Sequence, residues 1–390
     1  MYLNGKTTID LGYTEYLNQI KRPVLKNCNE ACLIGQAIPM FMIMILNKAR
    51  WFLMLTGHRT WVFDQKPAII STGTVGGPFE ANGMLALDFD LLHSDLWLGQ
   101  DSYEKAHKIL LEEACQKAIE KAGLQKEQIQ FFLGGDLINQ LTPTSFAMRT
   151  LGVPFLGLFG ACSTSMEGLA LGAYIVNNKG ADYLLTGASS HNAAVEKQFR
   201  YPTEYGGQKP PTAQWTVTGA GAALLSSAGD GPRVTSATIG RVIDMGMTDP
   251  LNMGGAMAPA AVDTIEAHLK ERNVDPSYYD LIVTGDLGQI GHDISLELFH
   301  KHGTPIREEQ YQDCGLMIYR EEQPVLSGAS GAGCSATVVY GHLLNRMKKG
   351  ELKRMLVVAT GALLSPLSFQ QNETIPCIAH AVSIEYENGP

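Results

Sequence analysis

Apolar residues recur along this chain in two rhythms. Some form short unbroken runs that stop at glycine, and others return every third or fourth position. The first rhythm predicts strands and the second predicts amphipathic helices. Trp61-Val62-Phe63 and Ala68-Ile69-Ile70-Ser71-Thr72-Gly73 read as strands, the second closing on a glycine turn. Ser102 stands where an N-cap belongs and Gly123 where a helix stops. Between them Ala106, Leu110, Leu111, Ala114 and Ala118 form one stripe of a helix running to Ala122. Gln128 to Leu133 predicts the next strand, ended by Gly134-Gly135-Asp136. Phe155 to Gly160 predicts a buried strand that runs into Ala161-Cys162-Ser163-Thr164-Ser165. The helix after it is nearly uncharged (Met166, Leu169, Ala170, Leu171, Ala173) and must be buried on most sides. Gly168 and Gly172, one turn apart on it, permit the close approach of another backbone.

The pattern then repeats. Gly135-Asp136-Leu137 returns as Gly285-Asp286-Leu287. Gly160-Ala161-Cys162-Ser163 returns as Gly331-Ala332-Gly333-Cys334-Ser335, and Thr186-Gly187-Ala188 as Thr360-Gly361-Ala362. The order is kept at a separation of roughly 150 to 175 residues, the size of one small domain. Val262, Ile265 and Leu269 mark a second-half helix, Leu281-Ile282-Val283 its following strand, and Val338, Val339, Leu343 and Leu344 a second buried helix. Alternating strands and helices imply a largely parallel sheet in each half. Two buried helices between two such sheets predict a five-layer α-β-α-β-α sandwich of two pseudo-duplicated halves, residues 54–232 and 233–390. A ligand site is expected where the halves meet.

Residues 1–53 stand apart from this repeat. Their apolar run, Pro39 to Leu46, is followed by Lys48 and Arg50 and is too short to span a bilayer. It has no small-residue cleavage site after it. The expectation is an extension outside the fold, with a native N-terminus near Met54. Nothing from Met54 onward is apolar enough for long enough to cross a membrane. The net charge of −9, with no basic tract, argues against nucleic acid and against adsorption to anionic lipid. Seven scattered cysteines without zinc spacing point to reduced thiols, and no metal or cofactor is expected.

Cys162 is the sharpest candidate for chemistry. It lies between a strand and a buried helix, where helix N–H groups stabilise a thiolate or hold an anion. The competing reading is a small buried hydrophobe. Cys334, in the matching second-half position, is read as packing. Use of Cys162 as a nucleophile needs a base, and His191, after the next strand end, is the first choice ahead of His292 and His342. The run Gly328-Ala329-Ser330-Gly331-Ala332-Gly333 could cradle an anion on its backbone. A loop-rich stretch from Val195 to Trp215 offers Lys197, Arg200, Tyr201, Tyr205 and Lys209 as binding groups.

The duplicated halves, the cysteine at the head of the first buried helix and Gly328-Ala329-Ser330-Gly331 together resemble the thiolase-like superfamily. Three longer runs resemble one branch of it, the stage V sporulation protein AD family: Ser71 to Glu80, Ser189 to Pro202, and Ser365 to Gln371. The resemblance covers roughly Met54 to Tyr386, most of a chain of domain-pair size. It implies binding of dipicolinic acid (pyridine-2,6-dicarboxylate), free or as a calcium chelate, during its uptake into the developing spore. It also implies work beside membrane proteins of the same operon, peripherally at the forespore or spore inner membrane, and leaves room for a homodimer. Ligand contacts are expected from Cys162, His191, Lys197, Arg200, Tyr201, Lys209 and Ser330.

The departures from the superfamily pattern bear on catalysis. Val325 stands where the condensing enzymes carry the histidine of Gly-His-Pro-x-Gly-Ala-Ser-Gly. Their second, late cysteine is missing from Val358-Ala359-Thr360-Gly361-Ala362. Thr284-Gly285-Asp286-Leu287 lacks the histidine of the ketoacyl-synthase-III-like relatives. Without acid–base partners the pocket reads as reused for binding, with Cys162 a vestigial nucleophile. Two alternatives stay open. One is an acyl-transfer or Claisen-condensing enzyme that uses Cys162 with His191. The other is a scaffold with an occluded pocket.

Overall fold

A computed structural model of the chain describes residues 54–199 and 209–387. The expectations for residues 1–53 and for Arg200, Tyr201 and Tyr205 lie outside that range. The first half supplies strands β1 (Ala68–Gly76), β2 (Phe131–Gly135), β3 (Phe155–Gly157), β4 (Tyr183–Ser190) and β5 (Gly219–Ser226). The second supplies β6 (Arg233–Thr238), β7 (Leu281–Thr284), β8 (Tyr311–Asp313), β9 (Arg354–Ala362) and β10 (Cys377–Glu385). Their spatial order is β3-β2-β4-β5-β1 in one half and β8-β7-β9-β10-β6 in the other, the same path traced twice. In each half the fifth strand is antiparallel to both neighbours and the remaining pairs are parallel. The two sheets join where Arg233 pairs with Ala68.

The larger helices are α1 (Tyr103–Lys121), α2 (Thr142–Leu151), α3 (Thr164–Asn177), α4 (Asn192–Phe199), α5 (Met253–Arg272), α6 (Gly288–His302) and α7 (332–348, with a π-helical middle). Strand alternation sorts the apolar side chains into three cores. Phe132, Leu185 and Leu224 face α1 and α2. Leu133, Leu184, Leu225, Val283, Val357 and Ile384 face the central layer of α3 and α7. Ile282, Leu356 and Val358 face α5 and α6. The result is the five-layer thiolase-like sandwich. The nearly continuous apolar runs of β4 and β9 follow from it, because both faces of these strands are covered.

Several local expectations hold and some are corrected. The Ser102 hydroxyl accepts from the Lys105 amide at 3.3 Å, capping α1 as predicted. Ser102→Ala is expected to lower the unfolding free energy by about 1 kcal/mol. Urea denaturation reads this directly, and an unchanged midpoint would assign the helix start to packing alone. Strand β1 does not stop at Gly73. It runs through it to Gly76, and α1 lies against it so closely that a Cβ on Gly73 would stand 2.1 Å from the Ala114 carbonyl oxygen. Strand β3 is short and lies at the sheet edge, with Leu156 and Phe159 48% and 49% exposed, so Phe155 to Gly160 is not a buried strand. Helix α3 is buried as expected, and its glycines admit the close approach of neighbouring strands. A Cβ on Gly168 would stand 2.3 Å from the Thr186 Oγ1 of β4. The stretch after Val195 begins as helix α4, not as loop.

Candidate functional site

The site is built around one tight turn. Ala161–Ser163 forms a single 3-10 turn between β3 and α3. Ala161 adopts φ +51°, a conformation costly for a residue with a Cβ. Hydroxyls hold the turn in place: Ser163 Oγ donates to the Gly160 carbonyl at 2.6 Å and Thr164 Oγ1 to that of Ala161 at 2.7 Å. The turn rests on β9 of the other half. A Cβ on Gly361 would stand 2.2 Å from the Gly160 carbonyl oxygen, which is why the repeated Thr-Gly-Ala needs its glycine here. Helices α3 and α7 are tied by a 2.7 Å bond between the hydroxyls of Ser165 and Ser335.

Cys162 points from this turn into a cavity with about 430 Å³ of empty space. Cys162, Ser330 and Thr216 are its polar lining. The other walls are apolar, among them Leu137, Phe159, Val195, Phe199 and Met253. A second hollow of about 570 Å³, beside Asn139, Gln140 and Ser365, shares Leu137, Phe159, Phe199 and Leu364 with it. Cys162 and Ser330 are therefore brought together as expected.

Behind Cys162 lies Asp286. Its buried carboxylate accepts from the Cys162 thiol, from the Gly331 amide at 2.9 Å and from Thr360 Oγ1 at 2.8 Å. Burial, with the nearby Asp313 carboxylate adding to it, pushes the Asp286 carboxyl up to about 7. The expected anion cradle thus serves an internal carboxylate. Gly331 N–H goes to Asp286, and Gly333 N–H goes to Ser190 Oγ at 3.0 Å.

His191 does not line the cavity that Cys162 enters. Its Nε2 lies 2.8 Å from the Leu96 carbonyl oxygen and its ring packs beside Tyr103 and His107. Burial, then His107, pushes it down to about 4, so it is a neutral core histidine. His292 stacks on Tyr311 and His342 pairs with Asp88 at 2.8 Å. Neither lines the cavity. Lys197 pairs with Glu104 on α1 at 2.9 Å. Lys209 pairs with Glu196 at 3.3 Å and lies 5.8 Å above the Trp215 ring. Neither lysine is part of the cavity lining. Cys334 is buried in α7 with its thiol on the Gly285 carbonyl, as expected for packing.

Comparison with known proteins follows the same lines. The family described as Stage V sporulation protein AD matches residues 57–385. The chain belongs to the stage V sporulation protein AD family. The Bacillus subtilis (strain 168) protein of that name is 48% identical over 337 residues, 86% of this chain and 99% of that one. Among solved structures, 3-oxoacyl-(acyl carrier protein) synthase III from Aquifex aeolicus VF5 superposes with a TM-score of 0.53 at 14% identity. It covers 82% of this chain and 100% of that one. A variant of OleA from Xanthomonas campestris gives 0.54 at 15% identity, over 83% and 97%. These two show the fold, and at such identity nothing further.

In this member of the stage V sporulation protein AD family, the residue that reading the sequence left without a role is Asp286. Its signal was present in the repeated Gly-Asp-Leu. The first-half copy, Asp136, is also buried, accepting from Ile138 N and from Thr144 N and Oγ1 at the start of α2. One copy serves the chain's own amides, and the other faces the cavity's cysteine.

Proposed function

We propose that this sporulation protein is a non-catalytic binding protein whose ligand is dipicolinic acid, free or as its calcium chelate, and that it takes part in uptake of that acid into the developing spore. The observation that carries the non-catalytic half is the Cys162–Asp286 pair. A cysteine nucleophile needs a neighbouring base or a positive field. Here the thiol is hydrogen-bonded to a buried carboxyl, and no histidine is among the cavity's described lining residues. The ligand follows from the family resemblance. A planar ring suits the flat apolar walls, with Cys162, Ser330 and Thr216 as polar contacts. Arg200 and Tyr201, which follow the cavity-lining Phe199 directly in sequence, are the groups proposed for its carboxylates. Association with membrane proteins of the same operon at the forespore or spore inner membrane belongs to the same reading. No helix among the described residues is long and apolar enough to cross a membrane.

Calorimetry with purified protein and dipicolinate is expected to give saturable heat and a thermal upshift, both reduced in Arg200→Ala. No heat and no shift at millimolar ligand overturns the reading. The apolar walls favour one rival, acyl transfer through Cys162 with Asp286 in place of the missing histidine. Incubation with acyl-CoA donors is expected to leave the intact mass unchanged. A stable adduct that disappears in Cys162→Ser would establish the rival instead.

A further inference from the structure

Asp286 carries a charge problem that the cavity does not solve. Its carboxylate is 1% exposed. Its partners are the Gly331 amide, the Thr360 hydroxyl and the Cys162 thiol, all neutral donors. The titratable groups facing it are Asp313 at the end of β8, Cys162 before α3, Cys314 after β8, Cys334 in α7 and Cys377 in β10. None of these is a cation. Asp313, itself beside His292, is held by the Leu287, Gly288 and Gly315 amides and by Thr284 Oγ1. Burial pushes the Asp313 carboxyl up against these four donors, and of the two carboxyls Asp286 is the one whose partner lines the cavity.

The Cys162 sulfur lies between this carboxyl and the cavity, because Cys162 is both the carboxyl's partner and part of the cavity floor. The described walls bring no cation. A ligand carboxylate seated against Cys162 therefore approaches a second negative charge in a poorly screened space. We propose that the cavity takes a carboxylate ligand together with one proton, and that Asp286 is where the proton sits. This rests on the reading of the cavity as a dipicolinate site. The proton comes from solvent and no covalent bond changes. Burial already brings the carboxyl close to neutrality before ligand arrives, so the uptake falls within ordinary working pH.

Dipicolinate stays fully ionised across neutral pH, so its affinity isolates the protein's proton. Binding to the wild-type chain is expected to weaken roughly tenfold per pH unit above about pH 7 and to level off below about pH 6. Calorimetry in buffers of different ionisation heat is expected to read one proton taken up near pH 8. Asp286→Asn is expected to bind with a flat profile, no proton uptake and higher affinity than wild type at the alkaline end. Infrared difference spectra of the wild-type protein should show a carboxylic C=O band growing on ligand addition, a readout that does not depend on the variant folding. Binding that is undiminished between pH 6 and pH 8 with no proton uptake overturns this inference and leaves the ligand assignment standing. An unchanged slope in Asp286→Asn, or no new C=O band, also overturns it. Absence of binding at every pH overturns the ligand assignment and this inference with it.

Discussion

Asp313→Ala is expected to lower the free energy of unfolding by about 4 kcal/mol, because it strips partners from a set of buried donors at once. The carboxylate stands at the end of β8, 1% exposed. It accepts from the Leu287 and Gly288 amides at 2.9 and 3.0 Å, where α6 begins, and from the Gly315 amide at 2.9 Å. Thr284 Oγ1, at the end of β7, donates to it at 2.6 Å. One side chain thus ties two strand ends to the start of α6 and to that of the short helix Cys314–Met317. Each buried amide left without a partner costs about 1–3 kcal/mol, and relaxation recovers part of the sum. Asp313→Asn keeps an acceptor oxygen and should lose about half as much. Urea denaturation of the three proteins measures the series. A loss below about 1 kcal/mol for the alanine variant would mean that water enters and satisfies the donors. Because Leu287 follows Asp286 directly, the same variant is expected to loosen the cavity floor and weaken dipicolinate binding.

The duplicated architecture was legible in the sequence because its causes are local. Glycines that end strands or admit a close neighbour recur at matching places, as Gly187 does in β4 and Gly361 in β9. Buried helices announce themselves by lacking charge, as α3 does. The site was only half legible, and the misses share one cause: direction. His191 follows Ser190 at the end of β4. Neighbours along an extended chain point opposite ways. Ser190 Oγ turns toward Gly333, so His191 turns away, toward Leu96. Lys197 fails for the helical version of the same reason. Val195 and Phe199, four apart on α4, line the cavity, and the residue midway between them points to Glu104 on α1. Asp286 was missed differently. Its spacing from Cys162 is set by the packing of the two halves, which no pattern within one half encodes.

The stability of the protein is expected to be nearly flat from about pH 5 to pH 8, against the usual loss on acidification. Two buried sets act in opposite directions. His107, His191 and His380 are pushed down to about 4, and His268 to about 3, each chiefly by burial. Their folded values lie below the unfolded one, so the stability they contribute is present above about pH 6.5 and is lost as pH falls toward 4. Glu80 and Asp286 are pushed up to about 7, and Asp136 and Glu167 to about 6, again chiefly by burial. Their stability is present below about pH 4 and is lost as pH rises through 6 to 7. Near pH 5.5 the unfolded chain holds most of four histidine protons, and the folded chain most of four carboxyl protons. The two sets then largely cancel. Above pH 6.5 the two sets fade together: at pH 7 the four unfolded histidines hold about one proton between them, and Glu80 and Asp286 hold about one between them in the folded chain. The slope there should stay below about half a proton, under about 0.7 kcal/mol per pH unit. Urea midpoints from pH 5 to pH 8 test this, and Asp286→Asn, which takes one carboxyl out of the balance, should lose about 1.4 kcal/mol of stability on going from pH 6 to pH 5. A steady decline from pH 7 down to pH 5, steepening toward four protons, would show instead that the buried carboxyls are ionised in the folded protein. It would also remove the proton that Asp286 is proposed to take up with the ligand.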